Sequence, residues 1–158
     1  MVRLKRPLPE DFMRKTTHTS AVKKLPRKLA YKGSVSTLKK KLWKHFADYV
    51  KARDKYTCFT CGRKAEGAGL HAGHFIAKSV GGITLYFSEK NVHAQCYNCN
   101  INLSGNQWVY GKRLGEDVVN ELLVLKNAIV KWTIDDYLRR IEEYKKKLEE
   151  LTASRADI

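Results

Sequence analysis

An α+β fold follows from three features of the sequence. Two Cys-x-x-Cys pairs, Cys58/Cys61 and Cys96/Cys99, close on a 34-residue insert; helical periodicity runs on both sides of them; and the first quarter is basic and poorly periodic. Four thiolates in two tight turns suit a tetrahedral Zn²⁺ at Zn–S distances of roughly 2.3 Å, because each Cys-x-x-Cys knuckle aims two sulfurs at one point. Zinc ribbons separate their pairs by roughly 15–20 residues, so an insert of this size must hold structure of its own. The expected architecture is a zinc-stapled strand, loop, strand and helix with flanking α-helices and a basic N-terminal arm.

The elements follow in order. Of the first 41 residues 13 are Lys or Arg, against only Glu10 and Asp11, and Pro26 and Gly33 interrupt any periodicity. Residues 1–35 therefore read as an extended arm that orders on a polyanion. Leu38, Leu42, Phe46, Tyr49 and Val50 then recur at helical spacing opposite Lys39, Lys40, Lys41 and Lys44, with Ser34 or Ser36 as the cap. Trp43 belongs with the packing residues. Residues 70–76 read as a strand, 77–90 as a loop with a short extended piece at 83–87, and 91–95 as the returning strand. A short helix through Leu103 ends near Gly105, completing a unit of residues 36–108. From 109 to 158 the chain reads as helical: one helix over 108–131, and a last helix capped by Thr133 with Asp136 and striped by Ile134, Leu138, Ile141, Leu148 and Leu151. That helix wants a partner, either the core or a second copy in a homodimer, or it serves as a DNA-binding element.

Charge narrows the partners. Lys plus Arg number 31 against 16 Asp plus Glu, a formal +15. Such a field attracts nucleic acid or anionic membrane, yet no apolar run reaches the 18 residues a spanning helix needs. The basic start, Val2 to Arg6, leads into Pro7 and Pro9 rather than an apolar stretch, so a secretory signal is not expected. A cytoplasmic protein keeps its thiols reduced and free for metal rather than paired as disulfides.

His74 within the insert and Asn100 directly after the second pair carry the interest. Phosphodiester hydrolysis needs a base for the attacking water and positive charge for the phosphate and the leaving oxygen. A neutral His supplies the first near pH 7, and a hard ion such as Mg²⁺ or Mn²⁺ on an amide oxygen supplies the second. A structural reading stands beside each: His74 as a hydrogen-bonded strand residue, Asn100 as a helix cap.

The run Cys58-x-x-Cys61, Leu70-His71-Ala72-Gly73-His74, Asn91 and Cys96-x-x-Cys99-Asn100 resembles the HNH or ββα-metal (His-Me finger) nucleases. Ala72-Gly73-His74-Phe75-Ile76, Glu89 to Cys96 and Ser104-Gly105-Asn106 resemble, more narrowly, the lambda phage NinG (Rap) recombination endonucleases. The likeness covers about residues 45 to 150. It implies a ββα-metal core in a phage-encoded endodeoxyribonuclease acting on branched DNA such as Holliday junctions or D-loops. His74 falls on the general base, Asn91 on the residue that fastens the loop and orients the base, and Asn100 on the catalytic metal ligand. Cys58, Cys61, Cys96 and Cys99 fall on the structural zinc ligands. Many relatives carry Asp before the base as a second ligand; this chain has Gly73, which leaves His71, or His93, as candidates to help. The alternatives are a sequence-tolerant HNH nicking or homing-type enzyme, and a non-catalytic zinc-dependent DNA-binding protein.

Overall fold

A computed structural model describes residues 33–156. The arm expected over 1–35 lies outside the described residues except for its last three. Helix α1 spans Val35–Arg53. Its start is set by Ser34, whose Oγ accepts from the Thr37 N–H at 3.2 Å, satisfying one of the amides that a helix N-terminus leaves open. Lys51 and Arg53 in the last turn suit its negative end. Leu38, Leu42, Phe46 and Val50 are fully buried, one per turn on one face as the spacing requires, and each contributes on the order of 1.5–3 kcal/mol by leaving water.

Past the first knuckle, a 3₁₀ turn at Gly67–Gly69 leads into strand β1, Leu70–His74. It pairs antiparallel with β2, Val92–Cys96, in a register that sets Leu70 opposite Cys96 and His74 opposite Val92. The first strand is two residues shorter than its apolar pattern suggested. The ladder stops because the Asn91 carboxamide takes both backbone groups of Ile76, accepting from N–H at 2.7 Å and donating to C=O at 3.0 Å.

The piece expected to be extended at 83–87 is instead a one-turn helix, α2, Gly82–Tyr86. Curling it inward buries Leu85 against Ile76 and Leu122 and brings the Leu85 carbonyl within 2.9 Å of Asn91 Nδ2. After β2 the second knuckle continues as a single π-helical turn, Asn98–Asn102.

Nor is 108–131 one helix. Helices α3, Gln107–Leu114, and α4, Glu116–Leu125, meet at Gly115, whose φ of +83° an L side chain rarely adopts.

Helix α5, Ile134–Ala156, begins at the expected box. Asp136 N–H donates to Thr133 Oγ1 at 3.2 Å, and Asp136 Oδ2 accepts from Thr133 N–H at 2.9 Å. The helix folds back onto α1. Its buried face is Tyr137, Ile141 and Tyr144, so tyrosines carry much of what the Leu/Ile stripe was expected to do. Tyr144 meets Phe46 edge-on at 4.9 Å. Glu89 ties the pair to the loop: Oε2 accepts from Tyr49 at 2.8 Å, and Oε1 from Tyr144 at 3.3 Å and Lys147 at 2.7 Å. None of the described helices is long and apolar enough to cross a membrane.

Candidate active site

The four cysteine sulfurs lie within 4.8 Å of one another and could hold a metal ion. None is in a disulfide. Cys61 and Cys96 Sγ are 3.7 Å apart, close to the ~3.8 Å edge of a tetrahedron with 2.3 Å metal–sulfur bonds. The Arg63 carbonyl accepts from Cys58 N–H and the Cys58 carbonyl from Gly62 N–H, both at 2.8 Å, which folds the first knuckle. Cys96 closes β2 and Cys99 sits in the π-helical turn, so the cluster clamps the strand pair to the turn that bears Asn100.

His74, at the end of β1, and Asn100, in that turn, line one open cleft of about 250 Å³ with Ala72, Lys78, Ser104 and Gln107. The imidazole is held on two sides. Its ring stacks on Trp43 at 5.2 Å between centroids, with an interplanar angle of 20°, and Nε2 lies 3.0 Å from the Tyr86 carbonyl. A carbonyl only accepts, so Nε2 carries the hydrogen and Nδ1 keeps the lone pair. Burial pulls the His74 pKa down to about 4, with Lys78 adding to the shift and the Tyr86 hydrogen bond opposing it. The ring is therefore neutral at pH 7, with the Nδ1 lone pair available. Trp43, expected only to pack, is the platform for that ring. It also bears the Lys78 ammonium, 4.4 Å from its centroid; burial, then Lys39, lowers the Lys78 pKa.

Asn91 is completely buried. Its three side-chain hydrogen bonds reach Ile76 N, Ile76 O and Leu85 O, and its own carbonyl accepts from Phe75 N–H at 2.8 Å. It closes the loop whose end carries Tyr86, the residue that holds His74. Tyr110, which sequence reasoning passed over, supports the same corner by donating to the Gly73 and Asn91 carbonyls at 3.1 and 3.3 Å.

Asn100 is oriented from the strand. Its Nδ2 donates to His71 Nδ1 at 2.9 Å, while His71 Nε2 donates to the Ala68 carbonyl at 3.2 Å. Both nitrogens of His71 are thus engaged, and Asn100 Oδ1 points towards Gly73, standing 2.9 Å from where a Cβ on that residue would be. His93 sits elsewhere, its ring stacked on Phe59 at 4.0 Å. Its Nδ1 is 3.0 Å from Arg53 Nη2 and 3.4 Å from Asp54 Oδ2. Asp54 binds the Arg53 guanidinium and the Ala94 N–H. Burial alone would raise its pKa, but His93, Arg53 and that amide together hold it at about 2. This cluster pins the end of α1 to β2.

Gln95, on β2 opposite His71, was not singled out by its sequence context. It is fully buried. Nε2 donates to the Gly105 carbonyl at 2.8 Å and faces Thr60 Oγ1 at 3.4 Å, yet Oε1 has no partner among the described residues.

Comparison with known proteins yields one family. The model described as "Bacteriophage Lambda NinG protein" matches residues 8–154. Protein ninG of Escherichia phage lambda is 32% identical over 114 residues, covering 69% of this chain and 54% of its own length. Those of Escherichia phage 933W and Salmonella phage P22 are each 31% identical over 114 residues, with 69% and 55% covered. The chain spans about half the length of the curated relatives it matches. No solved structure matches it.

Proposed function

We propose that this chain, which belongs to the bacteriophage lambda NinG family, is a metal-dependent DNA endonuclease of the HNH type. It cuts branched recombination intermediates, with His74 as general base, Asn100 as ligand of a catalytic divalent ion and the four cysteines as a structural zinc site. The observation that carries this reading is the shared cleft: a half-buried, neutral imidazole with its lone pair on Nδ1, and a carboxamide oxygen with no donor among the described residues, line one opening beside Lys78.

The chemistry follows from the geometry. Trp43 and the Tyr86 carbonyl fix the imidazole plane and its tautomer. Nδ1 then takes the proton of a water attacking phosphorus in line, and the new positive charge on the ring is shared with the Tyr86 carbonyl through Nε2–H. A Mg²⁺ or Mn²⁺ ion on Asn100, when bound, supplies positive charge to the phosphate and the departing oxygen. His71 holds the carboxamide nitrogen, so that the oxygen would be the atom offered to such an ion, an outer-sphere role of the kind that tunes metal sites. Lys78, already partly desolvated, meets a phosphate oxygen. The bond to the 3′ oxygen breaks, that oxygen takes a proton from solvent water, and 5′-phosphate and 3′-hydroxyl ends are left.

Purified His74→Ala should bind a four-way junction as the wild type does and leave it uncut, a loss on the order of 10²–10⁴-fold. Wild-type-like cutting by that variant would remove the base from the account. A second copy of the chain would pair incisions across a two-fold junction; light scattering on junction DNA should then give a dimer's mass, and a monomer's mass would count against it.

A further inference from the structure

Gly73 and Gln95 are fitted to one another. A Cβ on residue 73 would collide with Gln95 Oε1, would lie 2.8 Å from Gln95 Cδ, and would stand 2.9 Å from Asn100 Oδ1. Two carboxamide oxygens thus converge on the space that a side chain at 73 would fill. One belongs to Asn100, whose amide nitrogen is spent on His71. The other is a buried acceptor with no donor among the described residues, in a side chain whose nitrogen is spent on Gly105. A buried acceptor without a donor destabilises the fold that holds it. Both amides turn oxygen, and not nitrogen, towards Gly73. That is the donor set a hard cation takes, at about 2.0–2.1 Å for Mg²⁺.

We infer that Gln95 Oε1 is a second protein ligand of the divalent ion, completing with Asn100 Oδ1 a two-carboxamide seat that glycine at 73 keeps open. The inference rests on the proposed divalent site at Asn100 and adds a ligand from the facing strand. It also accounts for the glycine before His74: any side chain there displaces the Gln95 oxygen. A neutral pair binds Mg²⁺ more weakly than a carboxylate does, and leaves most of the coordination sphere to water and to the phosphate.

The test uses the zinc-loaded full chain without DNA and Mg²⁺ alone as the probe. Gln95 and Gln107 are the only glutamines in the sequence, so two glutamine Cδ resonances are seen and a Gln107→Ala sample assigns them, while an Asn100→Asp sample assigns the Asn100 Cγ signal among the asparagines. The Gln95 Cδ and Asn100 Cγ signals should shift together with one apparent Kd. If Asn100 shifts while Gln95 stays still, as it would if only a buried water served Oε1, this inference is overturned and the Asn100 site stands. If neither shifts, both fall. The titration itself is run on the wild-type chain, and the variants serve only to assign its signals.

Two variants extend it, with Mn²⁺ binding read by electron paramagnetic resonance and zinc content as the check on the fold. Gln95→Leu should weaken Mn²⁺ at least tenfold, and Gly73→Asp combined with Gln95→Ala should restore or exceed wild-type binding by placing a carboxylate in the vacated space. Undiminished Mn²⁺ binding by zinc-replete Gln95→Leu would overturn the assignment.

Discussion

Replacing Asn91 with Ala would expose how much of the site depends on one buried amide. The side chain accepts from Ile76 N–H at 2.7 Å and donates to the Ile76 and Leu85 carbonyls at 3.0 and 2.9 Å, all in the interior. Removing it leaves the buried Ile76 N–H and C=O without partners and the Leu85 carbonyl with its longer backbone bond from Ser88 N–H at 3.4 Å. At about 1–3 kcal/mol for each of the two orphaned groups, and with some relaxation or water entry, the expected loss is about 2–5 kcal/mol. That is a large part of the 5–15 kcal/mol typical of a domain. Urea denaturation of the zinc-loaded protein measures it: the midpoint should fall steeply while the slope stays near that of the wild type. Asn91→Asp should fare little better, since it keeps the acceptor for Ile76 N–H but turns carboxylate oxygen towards two carbonyls. A loss under about 1 kcal/mol in the Ala variant would refute the idea that this residue closes the 75–91 loop. Cleavage by whatever folded fraction remains should also drop, because the loop end carries the Tyr86 carbonyl that holds His74.

Other expectations follow from charge and metal. With the His74 pKa near 4 against an ordinary 6.5, cleavage should hold down to about pH 5 and fall below it; an acid limb centred at 6.5 would place the base elsewhere. The same depression makes folding stability full above pH 6.5 and lost as pH falls through 4, by about 3 kcal/mol, a slope that a His74→Ala denaturation series across pH should abolish. Asp54, held at about 2 against 3.8, stabilises the fold above about pH 4 and loses that contribution as pH drops through 2; Asp54→Asn should therefore flatten the acid end of the curve by about 1–2 kcal/mol, discounted for its partial solvent screening. Stripping the metal with a strong chelator, or Cys96→Ser, should unfold the core as seen by circular dichroism, because the sulfurs are what join the strand pair to the turn bearing Asn100; an unchanged spectrum in metal-free protein would demote the cluster to an ornament.

Much of this was visible in the residues, and the parts that were not share a cause. α1 was legible because its apolar residues recur every turn and Ser34 caps it, and α5 began where Thr133 and Asp136 said it should. The four cysteines were legible as one cluster from their spacing. What escaped depends on backbone or on geometry between distant residues. The partner of His74 is a carbonyl, which no side-chain letter announces. Leu85 curls α2 inward for a pocket that Leu122 completes some 37 residues later. Gly115 divides 107–125 through its positive φ, a break that a count of apolar residues overlooks. Tyr137 and Tyr144 fill the α5 interface because Glu89 satisfies the Tyr144 hydroxyl, so a stripe counted only in Leu and Ile misses half of it. Gln95 reads as an ordinary strand residue until the space above Gly73 is seen.

The most direct measurement is cleavage of labelled four-way junction, flap and linear duplex by the zinc-loaded protein in Mg²⁺, Mn²⁺ or EDTA. Nicks bearing 5′-phosphates are expected on the junction in either ion, with weaker cutting of the linear duplex and none in EDTA. Binding without any nicking, or nicking that EDTA leaves untouched, would contradict it.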